Sequence, residues 1–178
     1  ELRSALSEMF EETVVGDPLL PETGIGPVVT AEAANRIRNT CNEAPNQGAL
    51  LLSGTREESQ ESATVPPRLY EVQDSVAEIW NEELFGPVAC LRVYETEDEA
   101  VGWANQSRYG LSGSIWSSDT NRALLAAQRL ETGTVAVNSK KILDFVAPFG
   151  GWGQSGIGRE LGEEGFRSYL ETKTILLP

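Results

Sequence analysis

Residues 88–138, VACLRVYETEDEAVGWANQSRYGLSGSIWSSDTNRALLAAQRLETGTVAVN, decide the fold, because their pattern twice changes from strand-like to helix-like and back. Residues 88–94 alternate and are rich in β-branched and aromatic residues, which predicts a strand. Thr96 opens a T-E-D-E capping box, which predicts a helix start. The next predicted elements are a strand at 111–116, a helix from about Asp119 that Gly133 stops, and a strand at 134–138. This order predicts an α/β fold with a mainly parallel sheet flanked by helices.

The sequence on either side extends this pattern. Thr30 can cap a helix whose apolar face carries Ala33, Ala34, Ile37 and Cys41. The other predicted elements are a helix at 3–13, strands at 49–53 and 69–72, a surface loop at 54–63, a long loop from 138 to about 159, a helix at 160–169 and a final strand at 174–177.

The composition excludes several partners and several kinds of chemistry. The 178 residues carry a formal net charge of −13, and no apolar run approaches the roughly 18 residues of a membrane span. We therefore expect neither nucleic acid nor membrane as a partner. Two cysteines do not suggest a disulfide framework, so a cytoplasmic location is expected. The absence of histidine excludes imidazole metal sites and Ser/His or Cys/His nucleophile pairs, and no metal site is expected.

The chain starts inside a predicted helix, with no capping residue before it. The first residue is Glu1, and Leu6, Met9, Phe10 and Thr13 already share one helical face. A helix that begins in this way suggests a piece of a longer protein.

One glycine motif invites a different interpretation. GWGQSG at residues 151–156 fits G-x-G-x-x-G, the phosphate-binding turn of a dinucleotide fold. That turn needs a strand immediately before it, whereas Pro148 precedes the motif and argues against a central strand. Glu171 lies at the right distance but before the next predicted strand, not at its end. We therefore interpret these glycines as residues that shape tight turns, and an unrelated nucleotide-binding domain is the remote alternative.

Longer strings, in order, carry a resemblance to a known family. They are VVGDP at 14–18, GP at 26–27, ELFGPV at 83–88, YGL at 109–111, GTVAVN at 133–138, PFGG at 148–151, SGIGRE at 155–160 and TKT at 172–174. Together they closely resemble the aldehyde dehydrogenases, over the part of the catalytic domain that follows the catalytic cysteine. The resemblance implies that residues 1–178 are a single partial domain, the C-terminal half of the catalytic domain, without the nucleotide-binding domain.

The resemblance implies a cofactor role for two residues of the ELFGPV motif. In the family, the residue matching Glu83 binds the nicotinamide ribose of NAD or NADP, and the residue matching Phe85 packs beside the nicotinamide ring. A carboxylate can accept both hydroxyl hydrogens of a vicinal diol, which suits a ribose. From residue type alone, Glu83 would be a solvated acid and Phe85 a core aromatic. The helix after Gly26-Pro27 often adds a polar contact, which Asn35 or Arg36 could supply here.

The resemblance also assigns residues 138–149 to the wall of the aldehyde tunnel, with Phe149 facing the substrate. Long loops between rigid elements often carry binding residues. The alternative is that Phe149 only anchors the loop. Lys140 and Lys141 could favour an acidic aldehyde or could simply be solvated.

The chain lacks a convincing nucleophile. The family oxidises aldehydes through a thiohemiacetal on a cysteine, and the resemblance places that cysteine upstream of Glu1. Cys41 and Cys90 fall on a buried helix face and in a strand, where thiols are inert. We therefore expect no catalytic residue in this chain, no activity and little cofactor binding by the chain alone. We expect its partners to be an N-terminal portion or complementary chain, and copies of itself in a complete homo-oligomer. The alternative is a catalytically dead homologue that serves as a structural or interaction module.

Overall fold

The computed structural model describes residues 1–54, 63–73 and 77–178, so that most of the predicted loop at 54–63 lies outside the described residues. Within these ranges the helices are α1 Leu2–Glu12, α2 Ala31–Glu43, α3 Glu78–Asn81, α4 Glu97–Ala104, α5 Thr120–Ala127 and α6 Gly162–Arg167, with a 3-10 turn at Ala44–Gln47. The strands are β1 Ala49–Ser53, β2 Arg68–Val72, β3 Val88–Leu91, β4 Tyr109–Gly110, β5 Ser112–Ile115, β6 Thr134–Val137 and β7 Trp152–Gly153. The chain divides into two compact units, Glu1–Val93 and Tyr94–Pro178, and each is described by itself.

The first unit is a three-stranded sheet covered by α2. Its strand order is β1-β2-β3, with β1 antiparallel to β2 and β2 parallel to β3. The Thr30 side chain accepts a hydrogen bond from the Ala33 N–H, as a helix N-cap does. The predicted apolar face of α2 is buried, and Ile37 and Cys41 share one cluster with Tyr70 of β2. The Tyr70 hydroxyl donates to the Cys41 carbonyl at 3.0 Å, which satisfies the only polar group of that side chain.

The second unit contains a β-α-β element. Strands β5 and β6 are parallel, and α5 connects them in sequence. The predicted capping box at Thr96 is present, with Thr96 and Glu99 exchanging hydrogen bonds, and Asp119 caps α5 by accepting from Arg122 N–H at 3.0 Å. Strands β4 and β7 form a two-residue antiparallel pair that the sequence pattern did not predict.

The α/β class is confirmed, and the sheets are mixed. Among the described residues, β2/β3 and β5/β6 pair in parallel, whereas β1/β2 and β4/β7 are antiparallel. The predicted final strand at 174–177 is wrong, because residues 170–178 form no helix or strand. A strand needs a hydrogen-bonded neighbour, and none of the described strands pairs with this segment. Its apolar side chains are exposed instead, with Leu176 at 88%.

A glycine is needed at position 133 because the backbone at Gly150 lies where a side chain would begin. Helix α5 ends at Ala127, so Gly133 is not the helix terminator that the sequence suggested. A Cβ on Gly133 would lie 1.6 Å from the Gly150 carbonyl oxygen, a contact that no side chain can make. This close contact therefore places the start of β6 against the backbone at Gly150, within the long loop.

We predict that Gly133→Ala lowers the free energy of unfolding by about 3 kcal/mol, because the backbone at Gly150 has to move. Gly102→Ala is the matched control in the same unit. Gly102 lies in the exposed interior of α4 with no atom near the position of a Cβ, so this change should stabilise by about 0.5–1 kcal/mol. Urea denaturation of both variants measures the difference, and equal midpoints would contradict the close approach.

Candidate active site

The turn that carries Glu83 and Phe85 is held against α2. Leu84 is buried, and a Cβ on Gly86 would lie 2.6 Å from Cδ1 of the fully buried Ile37. With Leu84 pointing into the core, its neighbours Glu83 and Phe85 are exposed. Phe85 is 73% exposed and has a φ of +54°, a left-handed backbone that is unfavourable for an aromatic residue. The structure thus keeps a large apolar ring in solvent on a strained backbone, which is a feature typical of functional sites.

Glu83 and Phe85 line the same cavity. Its volume is about 370 Å³, and Trp80, Gly86 and Val88 are among its other walls. Phe85 also lines a second cavity of about 600 Å³, together with Val29 and Arg36. The structure therefore brings together the two residues of the ELFGPV motif, and Phe85 has open space on both sides.

The two polar candidates on α2 differ in their surroundings. The Asn35 Oδ1 accepts a hydrogen bond from Arg38 at 2.9 Å, so this amide is engaged within its own helix. Arg36 is exposed and shares the second cavity with Phe85, whereas Asn35 does not line that cavity. Of the two, Arg36 is the residue placed beside Phe85.

Sequence reasoning missed Glu32, which lines the cavity shared by Phe85 and Arg36. Its own backbone N–H and the Thr30 hydroxyl hydrogen-bond the carboxylate and lower the pKa of Glu32. This cavity therefore carries a carboxylate as well as a guanidinium. The signal in the sequence was an acid two residues after a capping threonine, at the positive end of a helix.

Phe149 lies in the second unit and is anchored through its backbone. Its N–H donates to the Glu160 carbonyl at 2.7 Å, and the Glu160 N–H donates to the Phe149 carbonyl at 2.7 Å. Because the main chain alone makes these bonds, the half-buried ring is not needed for them. Phe149 thus belongs to the second unit, whereas Glu83 and Phe85 belong to the first.

The glycine segment at 151–156 is a packed turn. Its residues Trp152 and Gly153 form β7, and the Ser155 hydroxyl accepts a hydrogen bond from the Gly110 N–H at 3.0 Å. Arg159 donates to the Gly151 carbonyl at 3.0 Å, and α6 begins only at Gly162. A dinucleotide turn would lead directly into a helix, so the segment has the shaping role that its context predicted.

The two loop lysines have different surroundings. Lys141 pairs with Asp144 three residues later, and this hydrogen bond lowers the pKa of Asp144. Lys140 is exposed. The positive charge of Lys141 is thus neutralised inside the loop itself, which weakens the case for a preference for acidic aldehydes.

Neither cysteine is poised to react. Cys41 is fully buried in the core cluster, as its helical position predicted. The Cys90 thiol donates to the Ile79 carbonyl at 3.3 Å. Burial, with a smaller contribution from Cys41, raises the pKa of Cys90 to about 12. A thiol of this kind holds almost no thiolate near neutral pH, which is the nucleophilic form.

The chain belongs to the aldehyde dehydrogenase family, whose family model matches residues 1–175. It is 40% identical to 3-succinoylsemialdehyde-pyridine dehydrogenase of a Pseudomonas species over 175 residues, which are 96% of this chain and 36% of that protein. The chain therefore spans about a third of the length of this relative.

Solved structures agree with this assignment. Succinic semialdehyde dehydrogenase from Streptococcus pyogenes, in complex with NADP+, matches with a TM-score of 0.89 and 34% identity, over 99% of this chain and 39% of that one. Betaine aldehyde dehydrogenase from Staphylococcus aureus, in complex with NAD+, matches with a TM-score of 0.86 and 36% identity, over 96% of this chain and 35% of that one.

Within residues 1–54, 63–73 and 77–178, no helix is long and apolar enough to cross a membrane. No group of three or more Cys, Asp or Glu side chains there is placed to hold a metal ion.

We predict that Cys90 in the folded chain resists alkylation. A pKa of about 12 against an ordinary 9.0 leaves a thiolate fraction about a thousandfold smaller at pH 8. Iodoacetamide labelling at pH 8 followed by mass spectrometry should be much slower at Cys90 in the folded chain than in urea, where both cysteines should label readily. Labelling of Cys90 in the folded chain at pH 8 as fast as in urea would contradict the raised pKa.

Proposed function

We propose that this chain is a segment of an NAD(P)-dependent aldehyde dehydrogenase that oxidises an aldehyde to a carboxylic acid. We propose further that residues 1–178 are one partial domain, the C-terminal half of its catalytic domain. The observation that carries the proposal is the placement of Glu83 and Phe85 on the wall of one cavity, both exposed. The family membership gives that cavity its chemical meaning.

The residues of the cavity fit the nicotinamide end of a dinucleotide. Glu83 presents a solvent-facing carboxylate, which can accept hydrogen bonds from both hydroxyls of a ribose. Phe85 presents an aromatic face on which a flat ring can pack. In the adjoining cavity, Arg36 supplies a guanidinium that can donate hydrogen bonds to a hydroxyl, beside the carboxylate of Glu32. When bound, NAD or NADP supplies the hydride acceptor, and these side chains bind it and orient it.

The aldehyde is proposed to approach the segment 138–149. Phe149 is half-buried, and its own N–H and carbonyl are both hydrogen-bonded to Glu160. A ring on a fixed backbone can form part of an apolar wall at little cost in conformational entropy. This supports a substrate-facing role for Phe149, as the family pattern implies.

The nucleophile is proposed to come from outside these 178 residues. Cys41 is inaccessible, and the thiolate of Cys90 is disfavoured at physiological pH. The family's thiohemiacetal would then form on a cysteine in an N-terminal portion or on a complementary chain. In the complete enzyme we propose a cytoplasmic homo-oligomer.

Exposed apolar side chains support such partners. Phe145 is 87% exposed, and Ile157, Tyr169 and Leu177 are also open to solvent. Exposed large apolar side chains of this kind are available for contact with a partner.

We predict that the purified 178-residue chain forms no NADH or NADPH from an aldehyde. The reason is that neither thiol can attack the carbonyl at a useful rate. The assay is absorbance at the nicotinamide wavelength with a series of aldehydes. Turnover that Cys90→Ser abolishes and Cys41→Ser preserves would contradict the prediction. An inactive complete enzyme would instead favour a structural or interaction module.

We predict that Glu83→Gln in the complete enzyme weakens cofactor binding and slows hydride transfer, each by about tenfold. A neutral amide replaces one of the two acceptor oxygens by a donor, and hydrogen bonds to charged groups contribute about 1.5–3 kcal/mol. Cofactor titration and single-turnover kinetics measure the two effects. Glu8→Gln, an exposed acid on α1, is the charge-matched control and should behave as the wild type. Wild-type values for Glu83→Gln in both measurements would contradict the cofactor role.

A further inference from the structure

Asn138 joins the end of β6 to the segment that leaves β5. The Ser117 N–H donates to Asn138 Oδ1 at 2.8 Å, and Asn138 Nδ2 donates back to the Ser117 carbonyl at 2.8 Å. The Asn138 N–H donates to the Ile115 carbonyl, also at 2.8 Å. One residue thus makes three hydrogen bonds to the neighbouring main chain, and two of them form a reciprocal pair between its side-chain amide and the N–H and C=O of Ser117.

The backbone of Asn138 also changes direction. Its φ is +50°, in the left-handed region that asparagine adopts more readily than most residues. The preceding residues, Thr134–Val137, are extended in β6. The left-handed residue therefore ends the strand and sets the direction in which the loop leaves it, and the amide pair holds that direction.

The loop that begins at Asn138 is held at its other end as well. Phe149 and Glu160 exchange two main-chain hydrogen bonds of 2.7 Å. Between these ends, Asp144 pairs with Lys141 and accepts from the Val146 N–H at 3.2 Å. Residues 141–146 are therefore linked to one another by contacts within the loop.

We propose that Asn138 is a positioning residue for aldehyde binding, which fixes the loop carrying Phe149 before the substrate arrives. This rests on the proposed function, in which residues 138–149 line the path of the aldehyde. Asn138 acts through the loop and not by touching the reacting atoms. Its loss raises the cost of ordering the loop when the aldehyde binds, and leaves the reaction of the bound aldehyde unchanged.

Two variants disrupt the amide pair while leaving a residue that adopts the left-handed turn. Asn138→Asp keeps the size of the side chain but places a carboxylate oxygen where Nδ2 faces the Ser117 carbonyl. Asn138→Gly keeps the left-handed backbone and removes the side chain.

The matched control is Asn105→Asp. The Asn105 side chain also makes two main-chain hydrogen bonds in the same unit, donating to the Arg129 carbonyl at 2.8 Å and accepting from the Glu131 N–H at 2.9 Å. Its pair holds the connection between α5 and β6 and not the loop.

The first measurement uses the 178-residue chain and a lysine-specific protease. Lys140 and Lys141 lie in the loop, and Lys173, near the C-terminus, is the remaining lysine and serves as an internal reference. We expect cleavage at 140 and 141 to be about tenfold faster in both Asn138 variants, because proteolysis follows the population of the opened loop. Cleavage at Lys173 should be unchanged, and Asn105→Asp should cleave within about twofold of wild type at all three sites. Equal loop cleavage in wild type and both Asn138 variants would overturn the role of Asn138 in holding the loop. The same acceleration in Asn105→Asp would overturn it as well.

The second measurement is steady-state kinetics in the complete enzyme. We expect the Asn138 variants to raise the KM for the aldehyde about tenfold while kcat and the KM for the cofactor stay near wild type. A merely structural role would instead lower the amount of active enzyme and leave the aldehyde KM unchanged. A wild-type aldehyde KM in an active Asn138 variant overturns the positioning role alone. A wild-type enzyme without aldehyde oxidation overturns the proposed function, and the aldehyde role of Asn138 with it.

Discussion

The contact between Ile37 and Gly86 is the constraint on which the candidate cofactor surface depends. Ile37 is fully buried at the centre of the α2 face, and its end carbon lies where a side chain on Gly86 would begin. Burial of an isoleucine of this kind contributes about 1.5–3 kcal/mol to folding. The packing that forms the core therefore also holds the turn against the helix. Because the turn is fixed there with Leu84 buried, the exposure of Glu83 and Phe85 follows from this packing.

The second unit depends on backbone contacts in the same way, although it uses polar ones. The carbonyl of Gly150 fills the place of a side chain at Gly133, and Asn138 bonds to the main chain at Ser117. These contacts hold the strand and the loop that follows it without a large apolar side chain. Several large apolar side chains of the unit are exposed, Phe145 and Val146 included.

Features that rest on neighbouring residues could be predicted from the sequence. The caps at Thr30, Thr96 and Asp119, and the buried face of α2, involve residues within a few positions of one another.

Features that rest on pairing between distant residues could not be predicted from the sequence. The final strand was predicted from local β propensity, but pairing decides whether a strand forms, and the described strands offer that segment no partner. The reciprocal bonds of Asn138 join residues 21 positions apart, which no local pattern records. Glu83 and Phe85 were identifiable only from a motif, since an acid and an aromatic by themselves indicate a surface residue and a core residue.

The left-handed backbone of Phe85 places stability and function in opposition at one position. A glycine there would relieve the strain of a φ of +54° and would remove an exposed ring from water. Selection for a more stable fold alone would therefore favour glycine. Under the proposed cofactor role, selection for what the aromatic face binds maintains the phenylalanine at this position. Under that proposal the residue at this position indicates whether the cofactor is still bound, because a copy of this chain that had lost the cofactor would be free to exchange the phenylalanine for glycine.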